Sequence, residues 1–181
     1  DYAGLDVRGK VVVVGGAAHH RTILEQLAEI GKTAVVLLEP EGRDSAAAMA
    51  AAAGLRFADA PLSRTPVEAW AGTLDSMVGA DDETFEHIRP VVDCWSGRIV
   101  RTGDVASGHT MKLLNNFLSM GYAALYSEAL TLGAKAGLTP TVFDSVIRGG
   151  RMDCGFYQTF MDYALHGNRE AHKFTLGNAY K

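Results

Sequence analysis

Apolar and polar residues follow two different patterns along the chain. In the first third, apolar runs of strand length alternate with patterns of helical spacing that end at glycine. The runs typical of strands buried on both faces are residues 10–16, 33–39 and 55–61. The helical patterns between them are residues 21–31 and 43–54. This βαβαβ order predicts an α/β fold with a parallel sheet, because parallel neighbours are joined by crossover connections.

The pattern becomes helical in the second half of the chain. Two more strand patterns come first, at 73–80 and 97–103, with a helix over 81–95 between them that Pro90 should kink or end. Residues 108–136 then form one long apolar-rich helical pattern. Two shorter helices follow, around 140–148 and 155–165, and Thr139 and Pro140 are suited to the start of the first. We therefore expect an all-α part to follow the α/β part, with the boundary near residues 103–107.

One stretch of the long helix places polar groups among apolar ones. Lys112 lies among leucines and a phenylalanine, and Asn115 and Asn116 follow one turn later. Lys112 and Asn116 are four residues apart and share a helix face. Partial burial lowers a lysine pKa, which makes proton transfer near neutral pH feasible, and Gly108 would let a ligand approach the backbone. Alternatively, Lys112 reaches solvent and the asparagines cap or bridge helices.

Composition excludes several classes of protein. Lys plus Arg number 17 against 21 Asp plus Glu, which gives a net charge of −4 and no basic stripe for a nucleic acid. No apolar run approaches membrane-spanning length, so we expect no membrane partner. The two cysteines are isolated, which is typical of a reduced, cytoplasmic chain. His19 and His20 have no partner at metal-ligand spacing, so no metal site is expected.

Several short motifs then occur in order. The strand 55–61 ends in Asp-Ala-Pro, with a serine two residues later, and Gly-Thr-Leu, Met-Val-Gly and Gly-x-x-x-Lys-x-x-Asn-Asn follow it. The matching residues are Asp59, Ala60, Pro61, Ser63, Gly72, Thr73, Leu74, Met77, Val78, Gly79, Gly108, Lys112, Asn115 and Asn116. With these motifs the chain, from about residue 55 to its end, resembles the β-hydroxyacid dehydrogenase family, which includes 3-hydroxyisobutyrate dehydrogenase.

The resemblance implies an architecture and an activity. It implies a partial Rossmann-like, dinucleotide-binding domain over residues 1–106. A helical substrate and dimerisation domain would follow over 107–181, entered through the long interdomain helix. The implied reaction is hydride transfer between NAD or NADP and a small β-hydroxyacid or its semialdehyde. The family members that the chain resembles are dimers or tetramers, and the apolar long helix also favours a homo-oligomer.

The same resemblance gives roles to individual residues. Lys112 would be the general acid/base, and Asn116 would orient the substrate hydroxyl or the lysine amine, with Asn115 beside it. Ser63, where a strand ends, would bind the substrate carboxylate; otherwise it only satisfies the backbone of its own turn.

The chain departs from the family pattern directly after that serine. Two glycines of the family are replaced by Arg64 and Thr65. The arginine is expected either to bind a carboxylate or phosphate of the substrate, or to point into solvent, and the sequence leaves both open.

The dinucleotide fingerprint is a second departure. The family has Gly-x-Gly-x-x-Gly after its first strand, whereas here Gly15 and Gly16 are adjacent and His20 takes the place of the third glycine. Glu39 ends the next strand, where a ribose-binding acid belongs. Either residues 10–39 are a degenerate first unit, or they belong to the second half of the cofactor domain and the first half is missing. We expect the latter.

The C-terminus is the third departure. Lys181 matches a family lysine near the cofactor, and the aspartate that follows that lysine is not in the sequence. Two function classes therefore remain open. One is an oxidoreductase of this family, and the other is a non-catalytic or truncated relative that acts as a dimerisation or interaction domain.

Overall fold

The computed structural model describes residues 12–14 and 56–172. The chain divides into two compact units, Asp1–Leu113 and Leu114–Lys181. The division falls inside the long helix, and the domain boundary after residue 106 stays a prediction. The predicted helices and strand between residues 21 and 54 lie outside the described residues, as do the two candidate cofactor residues, Glu39 and Lys181.

The described strands form one mixed sheet. They are β1 Val12–Val14, β2 Phe57–Asp59, β3 Leu62–Ser63, β4 Leu74–Gly79 and β5 Ser96–Gly103. Strand β1 pairs with β2 and β5 pairs with β4 in parallel, whereas β2 and β3 both pair antiparallel with β4. The predicted α/β class is confirmed. The sheet differs from the purely parallel one expected because a short connection joins β3 to β4, and such connections suit antiparallel neighbours.

The first unit has two helices, of which the sequence predicted one. Helix α1, Pro66–Trp70, lies between β3 and β4, and the sequence pattern did not predict it. Helix α2, Asp82–Val92, was predicted and begins at Asp81, whose side chain accepts a hydrogen bond from the Thr84 N–H at 2.8 Å. Pro90 lies in the last turn of α2, in agreement with the expected helix end.

The first unit has a hydrophobic core between its sheet and α2. The core residues are small or aliphatic, with one tryptophan: Ala58, Ala60, Ala69, Leu74, Val78, Ala80, Ile88, Val92 and Trp95. Strand β4 contributes most to this core because it is paired along both edges and four of its six residues in succession, from Ser76 to Gly79, are buried. This core therefore supports the sheet from which the candidate site residues at the ends of β2 and β3 project.

In its described residues the second unit consists of helices joined by turns and loops. Helix α3, Ser107–Lys135, spans both units and confirms the long helix predicted over 108–136. It ends in a Schellman motif, in which Gly137 has φ +84° and the Leu138 N–H donates to Gly133 O at 2.9 Å.

Two shorter helices follow α3. Helix α4, Pro140–Ile147, starts at Thr139 as predicted, with the Thr139 hydroxyl accepting from the Val142 N–H. Helix α5, Gly155–His166, buries Tyr157 and Met161. No described helix combines the length and the apolar character that a membrane crossing needs.

Candidate active site

The start of α3 is tied to the end of β2 by one carboxylate. Asp59 is the last residue of β2 and is 2% exposed. Its Oδ1 accepts from the Ala106 N–H at 2.6 Å, and its Oδ2 accepts from the His109 N–H at 2.6 Å. The first N–H groups of a helix have no partner within the helix. Asp59 therefore provides from a distant strand the cap that a local side chain usually provides.

A histidine ring completes this contact. The Nδ1 atom of His109 lies 3.0 Å from Asp59 Oδ2, and both side chains are buried. Because an ionised carboxylate only accepts hydrogen bonds, the ring proton belongs on Nδ1. The other ring nitrogen, Nε2, is buried and has no hydrogen-bond partner among the described residues.

Two motif glycines make room for the same carboxylate. A Cβ added to Gly108 would lie 2.8 Å from Asp59 Oδ2 and closer still to the carbonyl oxygen of Met77. A Cβ on Gly79 would lie 2.8 Å from Asp104 O and even closer to Asp59 Oδ1. The expectation that Gly108 admits a ligand is therefore wrong, because strand backbone and Asp59 already occupy the space beside it.

Lys112 lies one turn after Gly108 on α3. Its side chain is half-buried, and burial lowers the pKa of its ammonium group, because removal from water disfavours the charged form. This is the direction expected from its apolar neighbours in the sequence. Lys112 is also three residues after His109, so the two residues share one face of the helix.

The two asparagines belong to the part of α3 that lies in the second unit. Asn115 is half-buried and Asn116 is exposed. Because α3 is continuous, Asn116 lies one turn after Lys112 on the same helix. The substrate-orienting role expected of these amides stays a prediction.

Ser63 and Arg64 lie where β3 ends. Ser63 is paired with Asp75 of β4, and Arg64 Nε lies 3.1 Å from Asp75 Oδ2. The guanidinium was expected either to bind substrate or to point into solvent. Its side chain is 49% exposed and also forms an ion pair with a neighbouring strand, and a role in substrate binding stays a prediction. No hydrogen bond or ion pair within the described parts of the chain joins Lys112 to Ser63 or Arg64.

The backbone at Arg64 has a conformation that normally favours glycine. Its φ angle is +88°, in the left-handed region. Arg64 thus has a backbone conformation that a glycine, the family's residue at this position, would adopt without strain. A side chain in this region costs about 1–2 kcal/mol.

Thr65, the other substituted position, has a structural role. Its hydroxyl accepts from the Val67 N–H, and its own N–H donates to Glu68 Oε2 at 3.0 Å. This is a capping box that starts α1, with Pro66 in the first turn. The order Thr-Pro-x-Glu is a known signal for such a helix start, and it could have predicted α1 from the sequence.

Sequence reasoning missed Asp59 and His109 as members of the site. In the sequence, Asp59 is part of a motif without a role of its own, and His109 lies between Gly108 and Lys112. A signal was present, since an acid at the carboxyl end of a buried strand lies where ligands and helix starts meet. Within residues 12–14 and 56–172, no group of three or more His, Cys, Asp or Glu side chains could hold a metal ion.

Both parts of the chain match known protein families. Residues 11–103 match the family described as the NAD binding domain of 6-phosphogluconate dehydrogenase. Residues 106–181 match the family described as NAD-binding of NADP-dependent 3-hydroxyisobutyrate dehydrogenase.

Individual relatives agree with these matches. A 2-(hydroxymethyl)glutarate dehydrogenase of Eubacterium barkeri is 38% identical over 110 residues, which cover 61% of this chain and 36% of the relative. A 3-hydroxyisobutyrate dehydrogenase of Pseudomonas aeruginosa is 38% identical over 123 residues, which cover 66% of this chain and 41% of the relative. The chain thus spans less than half the length of these relatives.

A solved structure shares the fold. It is the 3-hydroxyisobutyrate dehydrogenase of Mycobacterium tuberculosis with L-serine, which aligns at a TM-score of 0.62 with 25% identity. The alignment covers 87% of this chain and 54% of that one.

Proposed function

The chain belongs to the β-hydroxyacid dehydrogenase family, and we propose that the protein interconverts a small β-hydroxyacid and its semialdehyde by hydride transfer with NAD or NADP. The observation that carries this proposal is Lys112. It is half-buried, its pKa is lowered, and it lies one turn from a helix start that is fixed to the end of a strand. A lysine with a lowered pKa is suited to exchange a proton with a substrate hydroxyl.

In the proposed mechanism Lys112 moves the proton. A bound nicotinamide supplies the hydride acceptor or donor. In the oxidation direction, the neutral Lys112 Nζ accepts the proton of the substrate hydroxyl as the carbonyl forms. In the reduction direction, the Lys112 ammonium returns that proton to the carbonyl oxygen. Burial makes the neutral form accessible at a lower pH than for a solvated lysine, so one side chain serves both directions.

Other residues of the motifs would bind and orient. We assign the substrate carboxylate to Ser63 and the orientation of the substrate hydroxyl or lysine amine to Asn116, with Asn115 beside it. Arg64 would contribute to substrate binding with those guanidinium donors that its ion pair with Asp75 does not use.

The cofactor would be held mainly by residues outside the described part of the chain. Glu39 is assigned to the ribose and Lys181 to the neighbourhood of the nicotinamide. The described part fits such a group in one respect. Strand β2, which pairs in parallel with β1, ends beside the start of α3, the helix that carries the acid/base lysine. Open α/β sheets bind their ligands at such strand ends.

We also propose that the protein is a cytoplasmic homo-oligomer that associates through α3. Large apolar side chains of α3 are exposed in the chain itself, and they are Met111, Leu113, Leu114, Phe117, Leu118, Met120, Tyr122, Leu125 and Leu132. A helix with apolar side chains around most of its circumference needs cover, and a second copy of this chain supplies it with an isologous contact.

Light scattering across a dilution series tests the assembly. Phe117→Asp should shift the protein towards monomer, whereas Trp70→Asp, at a side chain that is equally 71% exposed but lies on α1, should not. A wild-type monomer at micromolar concentration would contradict the proposal.

The exposed apolar surface also favours the second candidate function, a non-catalytic dimerisation or interaction domain. The two functions differ in cofactor binding and turnover. The full-length protein should quench or shift the fluorescence of NADH or NADPH. It should also reduce NAD⁺ or NADP⁺ in the presence of 3-hydroxyisobutyrate or a related small β-hydroxyacid. Association without binding of either dinucleotide would reject the oxidoreductase and support the interaction domain.

A further inference from the structure

We infer that Asp59 and His109 form a positioning pair that fixes the first turn of α3 and, through it, the place of Lys112. The structural part of this inference stands without the proposed function, whereas its consequence for turnover rests on it. Neither residue is proposed to touch the substrate. Both act through the helix that carries the acid/base lysine.

The contacts of the pair form one closed arrangement. A single carboxylate accepts the N–H of Ala106, directly before α3, the N–H of His109 in its first turn, and the Nδ1–H of the His109 ring. The ring of His109 therefore holds Asp59 Oδ2 in the position where it caps the His109 N–H. Hydrogen bonds to a charged group are the stronger ones, and burial of Asp59 and His109 shields the two bonds between these residues from competing water.

The backbone at the start of α3 has a strained conformation, which the surrounding contacts must hold in place. Ala106 has φ +78°, a conformation that L side chains rarely adopt, and its N–H is one of the two that Asp59 accepts. Strained residues persist where the surrounding structure over-determines them. Gly79 and Gly108 add to this, because each leaves only enough room for the Asp59 carboxylate and its neighbours.

The pair matters for Lys112 because helix ends fray. A frayed first turn would move every side chain in the next turn, and Lys112 lies three residues after His109. A general acid/base must lie within hydrogen-bond reach of the proton it moves. A displacement of about 1 Å can cost roughly 10²-fold in rate.

Two substitutions of nearly equal size at one position separate positioning from simple packing. His109→Asn keeps an N–H donor at the place of Nδ1, whereas His109→Leu fills a similar volume without a donor. In the full-length protein, His109→Leu should lower kcat by about 10- to 100-fold with the KM for the dinucleotide nearly unchanged. His109→Asn should restore most of kcat. Lys135→Ala, at an exposed lysine in the last turn of the same helix, is the control and should leave kcat unchanged. Equal kcat values for the Asn and Leu variants would overturn the inference.

Hydrogen exchange gives a test that needs no activity. In the full-length protein, the amides of residues 106–109 should exchange faster in His109→Leu than in the wild type, and His109→Asn should remain close to the wild type. Unchanged protection in His109→Leu would overturn the inference. If the protein shows protection as expected but turns over no hydroxyacid with either dinucleotide, the proposed function fails and the positioning pair stands.

A measurement on the unaltered protein covers the case in which His109→Leu does not fold. In ¹H–¹⁵N NMR of the imidazoles, His109 should carry its proton on Nδ1. The resonance of that proton should lie downfield, as expected for a hydrogen bond to a carboxylate. A His109 ring protonated on Nε2 alone would contradict the contact with Asp59 and overturn the inference.

Discussion

Helix α3 has two different environments along its length. Its first turn buries Gly108 and His109 and is fixed by hydrogen bonds to a carboxylate of the sheet. From Leu113 onward it exposes large apolar side chains, among them Phe117 at 71% and Leu125 at 66%. One helix thus combines a polar, geometrically fixed end with an apolar surface. The fixed end is suited to holding a reactive side chain in place, and the apolar surface is suited to association.

The starts of α3 and α4 differ in the origin of their caps. The cap of α3 comes from Asp59, far away in sequence and buried, whereas the cap of α4 comes from Thr139, adjacent in sequence and exposed. A remote cap couples the helix to the sheet, while a local cap stabilises its own helix alone. The contrast can be tested by substitutions that treat both regions alike.

The largest effect is expected at Lys112. In the full-length protein, Lys112→Ala should lower turnover by about 10²- to 10⁴-fold, because it removes the proposed acid/base group. Lys135→Ala, at an exposed lysine in the last turn of the same helix, should leave turnover unchanged. Steady-state dinucleotide absorbance measures both. Retained turnover in Lys112→Ala would return this lysine to a solvent-reaching role.

The two helix caps should differ next. Asp59→Ala leaves the buried N–H and ring Nδ1–H of His109 without a partner and should reduce the free energy of unfolding by about 1–3 kcal/mol for each of them. Thr139→Ala removes an exposed cap and should cost about 1 kcal/mol. Denaturant unfolding of the two variants, followed by circular dichroism, gives the comparison. Equal losses would mean that the remote cap couples the sheet to α3 no more strongly than a local one.

Substitutions at two glycines of α3 should change stability in opposite directions, and the smallest effect is expected at Gly121. Gly108→Ala forces a methyl group against Asp59 and the Met77 carbonyl and should destabilise by about 1–3 kcal/mol. Gly121→Ala meets no atom within 4 Å and should stabilise the helix by about 0.5–1 kcal/mol. Thermal unfolding at low protein concentration measures both. A destabilised Gly121→Ala would indicate that something packs closely on that face.

The elements that the sequence predicted well are those governed by local rules. The ends of α3 and the start of α4 followed from helical periodicity and from Thr139 with Pro140. The polar contact of Asp59 with His109 could not be predicted, because it joins a strand residue to a helix residue 50 positions later in the sequence. The antiparallel pairing of β4 with β3 was also missed, because strand periodicity does not encode the direction of a strand.

The candidate site was predictable only in its residue types. The sequence indicated a lysine with a lowered pKa, and burial of Lys112 agrees with it. It assigned Gly108 to a ligand, although that glycine makes room for Asp59. For Arg64 it left substrate and solvent open, and it did not predict the ion pair with Asp75 that the exposed side chain forms. Both differences depend on which backbone lies next to the residue, and only the folded sheet determines that.

The pH dependence of single-turnover hydride transfer tests the role of Lys112 most directly. Burial lowers the pKa of Lys112 below the ordinary lysine value of about 10.4. Oxidation needs the neutral amine, so its rate should rise as pH rises through that lowered pKa. Reduction needs the ammonium, so its rate should fall over the same range. In the full-length protein, Lys112→Ala should lose this titration in both directions. A titration of the same midpoint and amplitude in Lys112→Ala would contradict the account, because another group would then be moving the proton.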